Sequence, residues 1–327
     1  MKKKKAYDYA KFGYIFSIPF VIAWLIFQLY PILYTFLVGF TDLKGAGVTD
    51  FNILWSTPFK NFADVLGNKT FRTSFTNTLI IWGCNFVPQI LLALLITAWF
   101  TDRRSTIKGQ GLYKILFYLP NIITQATIAM LFAQLFMYPK GVINDLLIQL
   151  GIFKDGPVEM LRNKTIARSV IIFIQTWMWY GYTSIVLISG VLGISPELFE
   201  AAEVDGANQV QTFFKVTIPS IKTVLLFTLV TSLIGGLNMF DIPKLFLDGG
   251  PDGSTMTTSL YIYNNACQGT YQYAKASAAS MIMFVVITAL SALMFYMLRD
   301  KDEVALRKLI REQEREYRRK QKMLNSK

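Results

Sequence analysis

The stretch Glu200–Pro219, EAAEVDGANQVQTFFKVTIP, is a short and mostly polar segment between two long apolar runs. The residues Leu198–Val204 have a composition typical of a helix, and Asp205-Gly206 then indicates a turn. A second helical piece over Gln209–Lys215 precedes the next apolar run. The pattern predicts two short helices joined at a glycine, forming a compact projection outside the bilayer. An ordinary loop between two membrane helices is the alternative that spacing alone leaves open.

The composition is typical of a protein that crosses a membrane several times. Of the 327 residues, 53% are hydrophobic, 15% are aromatic and only 17% are charged, which is too apolar for an ordinary soluble domain. The chain contains no histidine, which excludes Ser-His-Asp triads, imidazole acid–base chemistry and His-based metal sites. Cys84 and Cys267 are far apart, and Cys84 lies in an apolar run, so a disulfide framework is not expected.

Six apolar runs are long enough to cross a bilayer, since a transmembrane helix needs about 20 apolar residues. They lie at about 12–40, 77–100, 113–137, 166–192, 224–247 and 276–298. The first run is too long for a signal peptide, and no small-residue cleavage pattern ends it. Pro19 and Pro31 predict kinks within this first run. The sequence therefore predicts an all-α, polytopic membrane protein with six transmembrane helices.

The distribution of Lys and Arg predicts the orientation, because six spans place both termini on one side. The two groups of connecting segments that this topology separates are 1–11, 101–111, 193–220 and 299–327 on one side, and 41–76, 139–165 and 243–275 on the other. The first group carries twice as many Lys and Arg residues as the second. The positive-inside rule then predicts cytoplasmic termini. Orientation also explains the formal net charge of +12, so no nucleic-acid partner is expected.

The predicted organisation has three parts. These are a basic N-terminus over 1–11, a six-helix transmembrane domain over 12–298, and a basic cytoplasmic tail over 299–327. The tail contains helical charge pairs, such as Glu303 with Arg307 and Glu314 with Arg318. This pattern is compatible with a helix that lies on anionic lipid and equally with a solvated or frayed end.

Polar and aromatic residues recur inside three of the spans, where lipid penalises polar groups. Asn121 and Gln125 are four residues apart after Leu119-Pro120, which predicts that they share one helical face. The other members of this set are Gln175, Trp177, Trp179, Tyr180, Tyr182, Ser232, Asn238 and Asp241, the last three near Gly235-Gly236. Aromatic faces beside hydroxyl and amide groups suit sugar rings, so we interpret the set as the lining of a shared polar cavity.

These polar residues also have a structural explanation. Asn, Gln and Ser hydrogen-bond between membrane helices, and Trp and Tyr form belts at the membrane interface. Asp241 lies near Lys244 and the outer end of the fifth run, so a snorkelling or ion-paired role is as compatible with its position as substrate contact.

The Glu200–Pro219 stretch resembles the EAA coupling loop of permease subunits in binding-protein-dependent ABC importers. The family pattern is Glu-Ala-Ala, three residues, Gly, nine residues, and then Ile-x-Leu-Pro. Glu200, Gly206 and Pro219 match it, and Val216 and Ile218 keep the apolar character of the Ile and Leu positions. We refer to Glu200–Pro219 as the EAA segment, which lies within a predicted coupling loop at about 195–220.

The likeness extends over nearly the whole chain, from Tyr14 to Leu298. It includes Leu119-Pro120, Phe240-Asp241 followed by Gly249-Gly250-Pro251, Tyr261-Ile262-Tyr263 and Tyr273-Ala274-Lys275-Ala276-Ser277-Ala278. The pattern is similar to sugar permeases such as the larger membrane subunit of maltose transporters, without the extra N-terminal spans and large outer insertion of that subunit. Gly236 and Met239 stand where that relative has amides, which suggests a glycan other than maltose.

The resemblance implies roles for two sets of residues. The positions implied to line a sugar pathway are Asn121, Gln125, Trp179, Tyr182, Ser232, Gly236 and Met239. We add Asn238 to this set because it is one of the polar residues of the fifth span. In the EAA segment, Glu200 would contact an ATPase groove, Ala201 and Ala202 would allow close packing, and Asp205-Gly206 would form the turn before the segment ends at Pro219.

The resemblance also implies partners. They are a second, homologous permease, two ABC ATPase subunits, an extracellular or periplasmic sugar-binding protein, the lipid bilayer of a bacterial plasma membrane and a sugar or oligosaccharide. The chain has no Gly-x4-Gly-Lys-Ser/Thr loop, so ATP and Mg²⁺ are expected on the ATPase and no cofactor on this chain. An ion-coupled secondary transporter is the alternative, although it predicts intramembrane acidic groups and internal repeats. A membrane enzyme is disfavoured because the spans hold no carboxylate pair.

Overall fold

A computed structural model of the chain describes residues 10–102, 108–269, 271–298, 309–314 and 316. The described residues are mostly helical. In chain order the helices are α1 (Ala10–Trp24), α2 (Tyr30–Val38), α3 (Lys60–Gly67), α4 (Lys69–Phe100), α5 (Gln110–Ile122), α6 (Gln125–Leu135), α7 (Val142–Gln149), α8 (Lys164–Leu192), α9 (Pro196–Val204), α10 (Gln209–Thr212), α11 (Ile218–Ser220), α12 (Lys222–Leu237), α13 (Asp241–Leu247), α14 (Thr258–Cys267) and α15 (Tyr273–Leu298). Each charge pair that the sequence predicts for the tail involves a residue outside the described part of the chain.

The helices confirm an all-α, polytopic membrane protein. The segments that are individually long and apolar enough to cross a bilayer are Phe12–Val38, Lys69–Phe100, Lys164–Leu192, Lys222–Leu247 and Tyr273–Met297. They correspond to the first, second, fourth, fifth and sixth predicted runs. The second begins earlier than the predicted residue 77, because the helix extends beyond the apolar stretch into the polar residues that precede it.

The third predicted span is not a single helix. Helices α5 and α6 are bent by 86° relative to each other. Between them Ile123 is extended, and the side-chain oxygen of Thr124 accepts a hydrogen bond from the Thr127 N–H at 3.2 Å, so a new helix begins there. Asn121 therefore lies near the end of α5 and Gln125 is the first residue of α6. The prediction that these two residues share one helical face is wrong.

The first span contains a widened turn close to its second proline. Helix α1 runs through Pro19, and a π-helical turn over Leu25–Leu29 then connects it to α2. In this turn the Tyr30 N–H donates to the Leu25 carbonyl, one residue further back than in an α-helix. Pro31 follows immediately, and a proline can neither donate to the carbonyl four residues earlier nor pack closely against it. The wide turn accommodates the proline within one continuous helical span.

The chain divides into two compact units. The first comprises the described residues up to Arg72 together with Tyr261–Val285. Buried Asn61 organises it, because its side-chain amide donates to the carbonyls of Gly39 and Thr41 at 3.0 and 2.7 Å. An ion pair of 3.3 Å between Lys275 and Asp64 joins the start of α15 to α3. These contacts fix the polar connection after the first span against the start of the last one.

The second unit comprises Thr73–Leu260 and the described residues after Val285. Its largest cluster of buried apolar side chains comes from α4, α6, α8 and α13 and includes Ile81, Ile128, Ala129, Ile171, Ile174, Met178, Ile242 and Phe246. Because α8 contributes the most residues to this cluster, it is the central helix of the unit. Residues on other faces of α4 and α8 remain available to line a cavity.

Candidate functional site

The EAA segment has the predicted form of two short helices joined at Gly206. Helix α9 ends at Val204, with Asp205 as its C-cap, and Gly206 adopts a left-handed conformation with φ of 72°. Asn208 and Gln211 then form reciprocal hydrogen bonds of 2.9 Å between side chains and backbone N–H groups, which start α10. The chain continues through a second π-helical turn, Phe213–Thr217, into α11. Glycine is favoured at residue 206 because it adopts a positive φ without the steric cost of a Cβ.

Helix α9, which leads into the EAA segment, packs one face on the membrane helices and exposes another. Phe199 of α9 contacts a cluster of buried side chains that comprises Ala93, Leu187, Val191 and Ile221. Ala202 is also buried. The remaining predicted coupling residues are exposed, namely Glu200, Ala201, Asp205, Gly206 and Pro219. The small side chain of Ala202 thus serves packing within this chain, whereas the other predicted coupling residues lie on the surface.

A cavity of about 280 Å³ lies in the second unit, between α4, α6, α8 and α12. Its lining combines amides, hydroxyls and aromatic rings. The lining residues are Trp82, Asn85, Gln89, Gln125, Gln175, Trp179, Tyr182, Thr183, Thr228, Thr231, Ser232, Gly235, Gly236 and Met239. In the described part of the chain they include no Asp, Glu, Lys or Arg. A cavity of this composition can form many hydrogen bonds but has no full charge with which to balance an ion.

Hydrogen bonds between neighbouring side chains orient the polar groups of the cavity. The Gln89 amide donates to the Thr183 hydroxyl at 2.9 Å, which connects α4 to α8. The Trp179 indole N–H donates to the Gln175 side-chain oxygen at 3.2 Å. This bond uses the acceptor of the Gln175 amide, so its two N–H donors remain for a ligand. The rings of Trp179 and Tyr182 meet edge to face, with centroids 6.0 Å apart.

Six of the eight residues predicted to lie on a substrate pathway line this cavity. They are Gln125, Trp179, Tyr182, Ser232, Gly236 and Met239. Asn121 and Asn238 are not among the lining residues. Asn121 lies beyond the bend between α5 and α6, and the Asn238 side chain instead donates to the Ile234 carbonyl at the end of α12, at 2.9 Å. Both asparagines lie next to a break in the helices, Asn121 before the bend between α5 and α6 and Asn238 at the end of α12.

Asp241 also lies away from the cavity. It is exposed and is the first residue of α13, where the helix dipole favours a negative charge. Its neighbour Lys244 donates to Asp248 at 2.7 Å. Asp241 is thus at a helix terminus and is not among the residues that line the cavity.

Three cavity residues on α4 were missed by the sequence interpretation. Trp82, Asn85 and Gln89 are separated by three and four residues, the spacing that places side chains on one helical face. Asn85 and Gln89 are polar residues within an apolar run, which is the pattern that identified candidate cavity residues in the other spans. The sequence therefore contained the pattern needed to identify these two amides. The indole of Trp82 has no such signal, because tryptophan is also common where membrane helices face lipid.

The chain is similar to known transport proteins over nearly its whole length. A family model described as the inner membrane component of binding-protein-dependent transport systems matches residues 12–301. A lactose transport system permease protein of Rhizobium radiobacter is 30% identical over 305 residues, covering 91% of this chain and 97% of the relative. A trehalose/maltose transport system permease protein of Thermococcus litoralis is 26% identical over 287 residues, covering 88% and 93%.

Solved structures of a bacterial ABC transporter that imports alginate have a similar fold. One matches with a TM-score of 0.74 and 24% identity, covering 88% of this chain and 95% of the other. A second, a bacterial alginate ABC transporter in complex with an alginate pentasaccharide-bound periplasmic protein, matches with a TM-score of 0.72 and 26% identity, covering 88% and 94%.

Proposed function

The chain belongs to the family of inner membrane components of binding-protein-dependent transport systems, and from this premise we propose that it is the permease subunit of an ATP-driven importer of neutral sugars or oligosaccharides. The observation that carries the substrate class is the uncharged lining of the cavity. Amide and hydroxyl groups suit the hydroxyls of a sugar, and aromatic rings suit its C–H faces. A buried carboxylate would instead need a cation beside it.

The names of the relatives support this class of substrate. They describe permeases for lactose and for trehalose and maltose, all of which are uncharged. The alginate importer, which takes up an acidic polysaccharide, shares the fold. Charge in the cavity is therefore the property by which this chain would discriminate between the two kinds of glycan.

Coupling to ATP would occur through the EAA segment. The projecting pair of helices fits a groove on an ATPase, with Glu200 as the polar contact and Gly206 as the turn. Two ABC ATPase subunits would bind ATP and Mg²⁺, and their closure would move the EAA segments and open the cavity outward. A second, homologous permease would supply the other half of the pathway, and an external binding protein would deliver the sugar. Both termini would lie in the cytoplasm of a bacterial cell.

Uptake into proteoliposomes tests the proposal. The complete complex, co-purified with this chain in mild detergent, is reconstituted with ATP inside the vesicles and the binding protein outside. We expect ATP-dependent uptake of at least one of radiolabelled lactose, trehalose, maltotriose and arabinotriose, and no uptake of an alginate pentasaccharide. Uptake of the acidic glycan in preference to all neutral ones would contradict the substrate class. Uptake that follows an ion gradient without ATP would contradict the importer itself.

A further inference from the structure

Trp82 and Gly236 form a close steric pair in the cavity wall. A Cβ added at Gly236 would lie 1.9 Å from Cδ1 of the Trp82 ring and 2.8 Å from both Cγ and Nε1. These distances are far shorter than any van der Waals contact between carbon atoms. The neighbouring Gly235 has no heavy atom within 4 Å of the equivalent position. The indole edge therefore occupies the space that a side chain at residue 236, and not at residue 235, would need.

Packing holds this indole ring in place. Its ring stacks on Phe86, one helical turn further along α4, with centroids 5.4 Å apart and an interplanar angle of 28°. Its Nε1–H is buried and has no acceptor within the described ranges of the chain. A buried indole N–H usually has a hydrogen-bond partner. Because none fixes this one, the notch at Gly236 and the stack on Phe86 set the position of the ring.

We propose that Trp82 is a sugar-stacking residue of the transport cavity and that Gly236 acts by making room for its indole ring. With one edge against Gly236 and one face on Phe86, the ring has its opposite face left to line the cavity. That face suits the flat C–H surface of a pyranose, and the amides of Asn85 and Gln175, which line the same cavity, can bond ring hydroxyls.

This inference rests on the proposed function and narrows it to neutral sugars whose ring presents a flat C–H surface, as a pyranose does. An acyclic polyol has no flat C–H surface to stack on an indole. The inference also changes the role of Gly236, which the resemblance placed in direct contact with sugar. Gly236 would instead affect transport by positioning the Trp82 ring. Trp82 is then the residue that determines specificity.

A double-mutant cycle in the reconstituted complex tests the pair, with lactose and maltotriose as probes at saturating binding protein. We expect Trp82→Ala to lower the rate of uptake roughly tenfold, the size of a lost aromatic contact. Gly236→Ala should lower it by a similar factor because its methyl displaces the ring. Adding Gly236→Ala to Trp82→Ala should cause no further loss, since the ring is then absent. Gly235→Ala, a methyl added one residue away in open space, should lower uptake less than Gly236→Ala.

Two outcomes would overturn the inference while leaving the proposed function intact. Losses that multiply in the double variant would show that Gly236 acts independently of Trp82. Wild-type rates of uptake in Trp82→Ala would show that the indole is not a platform for the sugar. Co-purification of the ATPase with each variant checks that the variant folds and assembles. Failure of the wild-type complex to transport any neutral sugar is a different result, which would overturn the proposed function and this inference together.

Discussion

Gly206 shows how a single residue can be constrained by backbone conformation and not by space. Its φ of 72° lies in the left-handed region, yet no heavy atom lies within 4 Å of the position that a Cβ would take. Most residues would therefore be strained there without any clash. Asn and Asp enter the left-handed region more readily than other residues with a side chain. They are also nearly equal in size, so the pair separates the effect of charge from the effect of shape.

We predict that Gly206→Asp abolishes sugar uptake, whereas Gly206→Asn retains a substantial part of it. Both side chains tolerate the turn, but Asp adds a negative charge to the exposed surface that we assign to ATPase contact. The measurement is uptake and ATP hydrolysis in proteoliposomes, with sugar binding by the isolated binding protein as a control that neither variant affects. Equal activity of the two variants at the wild-type level would contradict coupling through this turn.

The sequence identified the cavity residues that break an apolar pattern or cluster with residues that do. Gln125 and Ser232 carry polar side chains inside long apolar runs, where lipid penalises them, and Trp179 and Tyr182 lie in the cluster of polar and aromatic residues around Gln175. Trp82 could not be identified in this way, because an indole in an apolar run is compatible with lipid, interface or cavity. Its position depends on a glycine on a different helix. A contact between residues so distant in sequence is decided by tertiary packing, which no local pattern records.

At the scale of elements, a polar connection is tied to the helices that line the cavity. Arg168 of α8 donates to the Ser254 carbonyl at 2.7 Å and to the Asn77 side chain at 2.6 Å. Asn77 of α4 in turn donates to the carbonyls of Gly253 and Met256. The Thr257 hydroxyl donates to the carbonyl of Met239, at 2.8 Å. Because Met239 lines the cavity, this network joins the connection between α13 and α14 to the cavity wall.

We predict that Arg168→Met destabilises the protein by about 3 kcal/mol, since it removes two hydrogen bonds from a charged donor at a partly buried site. Arg162→Met is the matched control, because Arg162 is exposed and its ion pair with Glu159 spans 3.8 Å. Exposed pairs of this kind contribute little. Thermal unfolding in detergent and protease cleavage of the connection at 248–257 provide the measurements. Equal melting temperatures for the two variants would show that the network does not hold this connection.

The elements were predictable to the extent that they depend on local chemistry. The apolar runs predicted the spans, and the turn at Gly206 predicted that the EAA segment consists of two short helices. The bend between α5 and α6 was not predictable, because 113–137 is one apolar run of sufficient length to cross a bilayer. The bend depends on Thr124, whose hydroxyl caps a new helix only once Ile123 is extended. Threonine is common within membrane helices, so its presence alone does not indicate a break.

At the scale of the whole molecule, this bend decides the topology. Helices α5 and α6 have 13 and 11 residues, which correspond to about 20 and 16 Å at 1.5 Å per residue. Neither helix alone crosses a hydrocarbon core of about 30 Å. If the pair crosses together, the chain has six crossings and both termini lie on one side. If it returns to the side from which it entered, the chain has five crossings, and the EAA segment and the N-terminus lie on opposite sides.

We predict that the pair crosses, which places Lys108 in the cytoplasm and Lys154 outside. The test introduces one cysteine at a time, Lys108→Cys or Lys154→Cys, into a chain whose exposed Cys84 and Cys267 are replaced by serine. A membrane-impermeant maleimide should label residue 154 in intact cells and residue 108 only after permeabilisation. Val204→Cys, in the EAA segment, should behave as residue 108 does. Labelling of residues 108 and 154 from the same side would show that α5 and α6 do not cross.

The wide turn at Leu25–Leu29 sets the rotational phase of the first span. A π-helical turn contains about one residue more than an α-helical turn, and each residue of an α-helix advances about 100° around the axis. In an uninterrupted α-helix, the side chains of α1 would point in directions that differ by roughly this angle about the axis from those seen here, with α2 held fixed. Deleting one residue from the turn would present a different stripe of α1 to the lipid or subunit around it, although the amino acids of α1 would be unchanged.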